Sequence, residues 1–110
     1  MAKRAGFAGI EPNTLNTRSE VDEYRAASEK TGVRIHSIMN ADHWKHPLTD
    51  SDPDVVRQCM DGIRTSMHNA HALGADVVLL VPGIVTRDVR YLEAYERSQA
   101  RIRELIPLAE

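Results

Sequence analysis

Asp76-Val77-Val78-Leu79-Leu80-Val81-Pro82-Gly83 places five aliphatic residues in a row between an acid and a Pro-Gly break. A run that does not alternate predicts a strand covered on both faces, the situation of a strand inside a parallel sheet. Two shorter runs repeat the theme upstream, Phe7-Ala8-Gly9-Ile10-Glu11 and Val33-Arg34-Ile35-His36-Ser37-Ile38, and the stretches between them have helical spacing. Strands separated by helices must pair in parallel. The chain is therefore expected to be α/β, three parallel strands alternating with helices, with its function in the loops that follow the strands' carboxyl ends.

The connecting segments carry the signals of helix ends. Residues 1 to 5 read as the tail of a helix stopped by Gly6, which predicts more chain upstream. Pro12 breaks the first strand and Asn13 to Asn16 form a loop. Either Thr17 or Ser19 caps the next helix, whose first turn holds Glu20, Asp22 and Glu23 and whose inner stripe is Val21, Tyr24, Ala27 and Ser28; Lys30-Thr31-Gly32 ends it. Asp52 and Pro53 start a long helix with Val56, Cys59, Met60, Ile63, Met67, Ala70 and Leu73 inward, stopped by Gly74. A last helix from Asp88 to about Leu108 is expected to bury Tyr91, Leu92, Tyr95, Ile102, Leu105 and Ile106. No linker interrupts residues 1–110, which read as one domain. A closed (β/α)8 barrel needs about 250 residues, so these strands cannot close one.

Composition narrows the partners. Lys+Arg 14 against Asp+Glu 16 gives a net charge of -2 with no basic stripe, which argues against nucleic acid as the main partner and favours a small polar metabolite. Cys59 is the single cysteine and falls on the buried face of its helix, pointing to a reducing compartment, by default the cytoplasm. No apolar run approaches the roughly 18 residues of a membrane span. The phosphate-binding, dinucleotide-binding, nucleophile-elbow and C-x-x-C signatures are all missing from the chain.

The loop Met39-Asn40-Ala41-Asp42-His43-Trp44-Lys45-His46-Pro47-Leu48-Thr49 concentrates titratable and aromatic groups after the second strand. His43 and His46 are placed either to act as acid/base groups or phosphate donors or to stand as solvated loop residues, Lys45 to pair an anion, and Trp44 either to wall a sugar ring or to anchor the packing. Glu11 ends the first strand, where it either reaches a ligand or pairs with a neighbour. His36 reads as a satisfied, partly buried strand residue, and His68 and His71 as exposed residues near a helix C-terminus. Gly83, after Pro82, gives the backbone room to approach a ligand or simply ends the strand.

Gly6-Phe7-Ala8-Gly9-Ile10-Glu11-Pro12, Ser37-Ile38-Met39-Asn40-Ala41-Asp42-His43-Trp44 and Gly74 to Gly83, in that order and spacing, resemble the sugar phosphate isomerase/epimerase family, the xylose isomerase-like TIM barrels. The resemblance spans essentially the whole chain. It implies a partial (β/α)8 TIM barrel running from the end of helix 1 through helix 4, and proton transfer on a ketose or ketose phosphate assisted by a divalent metal (Mn, Mg or Co). It also implies that Glu11, His43, Trp44, Pro82 and Gly83 line the substrate, while the metal-binding Glu, Asp, His and Glu and the proton-moving carboxylates belong to the other half of the barrel, leaving this portion inactive alone. The related endonuclease IV type places a zinc-binding histidine where Val81 stands, which argues against DNA repair. A different class of reading is a non-catalytic β/α module, a homo-oligomer that closes its open edges against a second copy. A flavodoxin-like domain would need a phosphate-cradling loop, for which Pro12-Asn13-Thr14 is poor material.

Overall fold

The computed structural model describes residues 1–110. After a 3-10 turn at Ala2–Ala5, the order is β1 (Gly9–Ile10), α1 (Arg18–Thr31), β2 (Arg34–Ile35), β3 (Ser37–Met39), α2 (Pro53–Leu73), β4 (Val77–Leu79) and α3 (Tyr91–Ala109). This is the expected mixed α/β order of short parallel strands without a closed barrel. The chain divides into two compact units, Met1–Met39 with Thr65–Leu79, and Asn40–Arg64 with Leu80–Glu110.

In the first unit, Gly6 ends the opening turn in the left-handed conformation at φ 84. The expected second strand is divided at His36 because its partner changes there. β2 pairs in parallel with β1, Gly9 opposite Arg34 and Ile10 opposite Ile35, whereas β3 pairs with β4, Ser37 opposite Val77 through Met39 opposite Leu79. His36 serves both sides: its N–H donates to Ile10 O and its carbonyl accepts from Asp76 N, each at 3.3 Å. Pairing beside β1 resumes past Pro12, since that residue lacks only a donor. Its carbonyl accepts from Met39 N at 2.9 Å, and Thr14 N donates to Met39 O at 3.0 Å.

Ile35, Ile38 and Ala70 form the core of this unit, with Ile10, Leu73, Ala75 and Val78 packed against them. Two buried polar contacts fix the loop after β1 to α2: Thr14 Oγ1 lies 2.8 Å from Ser66 Oγ, and Leu15 N donates to Asn69 Oδ1 at 2.8 Å. Thr17, not Ser19, caps α1, its hydroxyl accepting from Glu20 N while the Glu20 carboxylate accepts from Thr17 N.

Two burial expectations are corrected here. No residue of α1 is fully buried; Val21 and Ser28 are half-buried, while Tyr24 and Ala27 are exposed beside an open hollow of about 330 Å³. β4 is not covered on both faces, for Val77 is 55% and Leu79 44% exposed while Val78 turns inward. Two short parallel pairs cannot curl into a closed barrel, so the outer face of β4 has no layer to meet.

In the second unit, Asp52 caps α2 as expected, its carboxylate accepting from Asp54 N at 2.9 Å. Leu48, Val56, Cys59, Met60, Ile63, Val89, Ala94 and Leu105 make the apolar core. α3 starts at Tyr91 rather than Asp88 because Thr86 closes a turn first, its hydroxyl accepting from Asp88 N and Val89 N at 3.2 and 3.0 Å. Its buried stripe also differs: Ala94, Ser98 and Leu105 face inward and Ile102 is half-buried, while Tyr91, Leu92, Tyr95 and Ile106 are exposed. The small Ala94 and Ser98 admit a close approach, and Arg97 fastens it by donating to Thr49 O at 3.0 Å while pairing with Glu93. No helix is long and apolar enough to cross a membrane.

Candidate functional site

Glu11 follows β1 directly and is exposed. It accepts a hydrogen bond from Ser37 Oγ, and the same hydroxyl lies 2.8 Å from His36 Nδ1. The result is a short polar chain, Glu11-Ser37-His36, across neighbouring strand segments of the first unit. His36 is satisfied as expected but exposed rather than partly buried, because strand alternation sends Ile35 and Ser37 inward and turns His36 out. Gly9 makes room for it, since a Cβ there would lie 2.8 Å from His36 Cδ2. His68 and His71 are exposed on α2, as anticipated.

The second unit holds the loop after β3. Asp42 O accepts from Lys45 N at 3.1 Å and from His46 N at 2.7 Å, closing a turn from Asp42 to His46. His43 is 1% exposed and Trp44 67% exposed, the reverse of a packing tryptophan flanked by a solvated histidine. Their rings meet in a T, with centroids 5.3 Å apart and planes at 77°. Burial lowers the His43 pKa from its usual 6.5, against an opposing pull from Asp42. His46 is half-buried, with Nδ1 3.4 Å from Asp42 Oδ1.

Beneath this turn lies an unusual polar base. Asn40 is fully buried, and neither its amide nitrogen nor its oxygen finds a hydrogen-bond partner; His43 Nδ1 is likewise buried and unbonded. Gly62, in the middle of α2, faces them: a Cβ there would lie 2.8 Å from Asp42 Oδ2 and 3.3 Å from Asn40 Oδ1. Cys59 is fully buried, its pKa pushed up to about 11 by burial and then by the Asp42 charge, with the Asn40 amide opposing. It is a neutral thiol at pH 7 and no nucleophile.

Pro82 is exposed and Gly83 half-buried in the segment after β4. The space a Gly83 side chain would occupy is filled by Thr49, whose methyl would stand 2.6 Å from the Cβ. Thr49 Oγ1 donates to Ile84 O at 3.2 Å and accepts from Ile84 N at 3.1 Å, stitching the two loops together. A polar hollow of about 220 Å³ opens beside them, lined by Pro47, Thr49, Asp50, Thr86 and Asp88 among others.

Of the expected substrate-lining residues, then, His43 and Trp44 touch each other, Gly83 is packed on Thr49, and Glu11 stands in the first unit. Sequence reasoning did not single out Ser37, Asn40, Asp42, Thr49 or Gly62. Gly62 left a legible trace, since a glycine inside a helix asks for a packing reason. No three His, Cys, Asp or Glu side chains converge to hold a metal ion, so the residues of this chain do not by themselves fit the divalent cation implied by the resemblance.

Comparison with known proteins places all of residues 1–110 on the xylose isomerase-like TIM barrel family model. No curated protein matches the chain. Among solved structures, a D-tagatose 3-epimerase-like protein superposes with a TM-score of 0.84 at 17% identity over 99% of this chain and 43% of its own. D-allulose 3-epimerase from Methylomonas sp., crystallised with D-allulose, gives a TM-score of 0.76 at 23% identity over 98% of this chain and 38% of its own. At these identities the likeness is one of fold, and the chain spans about two-fifths of either structure's length. With the family matched from the first residue to the last, and with its parallel β/α order, this chain belongs to the xylose isomerase-like TIM-barrel family.

Proposed function

We propose that this chain is a portion of a divalent-metal-dependent sugar or sugar-phosphate epimerase or isomerase of its family, one that moves a proton on a ketose through an enediolate. The family match along all 110 residues carries the reading, and the similar solved structures, both named as 3-epimerases or epimerase-like, support it. Glu11, Trp44, Pro82 and Gly83 line the sugar in this reading, with His43 buried behind Trp44. Each follows the carboxyl end of a strand, where barrels of this kind keep their ligands. Glu11, held by Ser37, accepts a sugar hydroxyl, and the Trp44 indole covers the apolar face of the substrate. The cation, Mn, Mg or Co, and the carboxylates that move the proton are supplied from outside these residues, in a cytoplasmic enzyme.

The 110 residues alone are accordingly expected to turn over nothing. Incubating them with manganese or magnesium and a panel of ketoses and ketose phosphates, with carbon-bound proton exchange followed by NMR, is the test; robust epimerisation would show that the missing groups have been wrongly assigned. A second reading, a module that self-associates without catalysis, has in its favour the exposed aliphatic face of β4 at Val77 and Leu79. Sugar binding, measured alongside sedimentation, separates the two: a stable stoichiometric oligomer that binds no sugar favours the module.

A further inference from the structure

We propose that His43 is a positioning residue, which holds the exposed Trp44 indole as a fixed plate for the C–H face of a ketose, on a turn clamped by Asp42 and seated in the Gly62 notch of α2. The inference rests on the sugar-binding reading above and assigns the division of labour within it.

An exposed tryptophan on a loop would ordinarily sample several rotamers. Trp44 differs in standing on a packed base. Its neighbour His43 is buried and meets the indole in the T-shaped geometry that aromatic quadrupoles favour. The turn itself is closed by two bonds to Asp42 O, and the Asp42 side chain lies against the bare Cα of Gly62, with His46 Nδ1 3.4 Å away. A glycine inside a helix lowers its stability, so its presence where the carboxylate makes its closest approach is accounted for by that approach. The buried Asn40 amide below has only the Cys59 thiol, a weak partner, beside it, which leaves most of its hydrogen-bonding capacity unmet.

His43 cannot meet a ligand while buried, so its part is played through Trp44. The charged group that acts on it is Asp42, the residue before it on the loop. Burial outweighs the Asp42 charge, leaving the imidazole neutral at pH 7 and suited to a ring contact.

Trp44 is the only tryptophan, so its fluorescence reports the plate alone. Time-resolved anisotropy of the wild type should show the indole moving with the whole protein. His43→Ala and the closer-sized His43→Gln should each add a fast local motion, with far-UV circular dichroism unchanged, and His43→Phe, which keeps a ring, should restore the slow decay. With D-allulose as the probe, affinity should weaken about fivefold in the ringless variants and recover in His43→Phe. An indole as rigid in His43→Gln as in the wild type overturns the positioning role. If instead anisotropy responds as expected but the wild type shows no response to D-allulose, the sugar-binding reading fails and takes the plate's purpose with it, a result distinct from the first.

Discussion

His43 concentrates the energetic tension of the second unit in one side chain. Its folded pKa lies below the usual 6.5, so the unfolded chain binds the proton more readily than the native one. Stability therefore rises with pH through this window: it is fully present above about 6.5 and is lost as pH falls toward the depressed native value. Thermal unfolding between pH 7.5 and 5 should show the midpoint falling on acidification, and His43→Phe should flatten that dependence. Gly62 offers a complementary test. Replacing a mid-helix glycine by alanine ordinarily stabilises by about 1 kcal/mol, but here the new methyl meets the Asp42 carboxylate. Chemical denaturation of Gly62→Ala should reveal that gain cancelled or reversed. A full gain would mean that the carboxylate moves away at no cost.

At the scale of the elements, ends and junctions decide more than interiors. α1 has no buried residue, so its start depends on the reciprocal bonds of Thr17 and Glu20. Thr17→Ala should cost about 1 kcal/mol, read from the denaturation midpoint. The loops after β3 and β4 are joined through Thr49, and Gly83 is the residue that lets them meet. Gly83→Ala introduces a Cβ 2.6 Å from the Thr49 methyl, and overpacking of that kind costs about 1–3 kcal/mol. Thr49→Ser paired with it should recover part of the loss by removing the offending methyl; an undiminished loss would place the strain elsewhere.

For the molecule as a whole, the uncovered apolar surface is the dominant fact. Val77 and Leu79 leave one face of β4 open, and Tyr91, Leu92 and Tyr95 are exposed on α3, the two tyrosines stacked 6.3 Å apart. Surfaces of this type associate or bind hydrophobic probes. Sedimentation of the isolated chain is expected to show self-association, with dye-accessible apolar surface at low concentration. A compact monomer that binds no such dye would contradict the open-barrel picture.

The sequence by itself determined the β/α alternation, the stops at Gly6, Gly32 and Gly74, the inward face of α2 and the family resemblance, because each is written in local periodicity or in a residue with narrow conformational limits. Only the tertiary structure decided which side of an amphipathic element finds a partner. Val77, Leu79 and Leu92 are as apolar as the buried Ile38 and Leu105, and their exposure depends on layers that local spacing does not encode. The same holds at the candidate site, where His43 goes in and Trp44 stays out because a notch at Gly62, nineteen positions later in the chain, receives the turn between them.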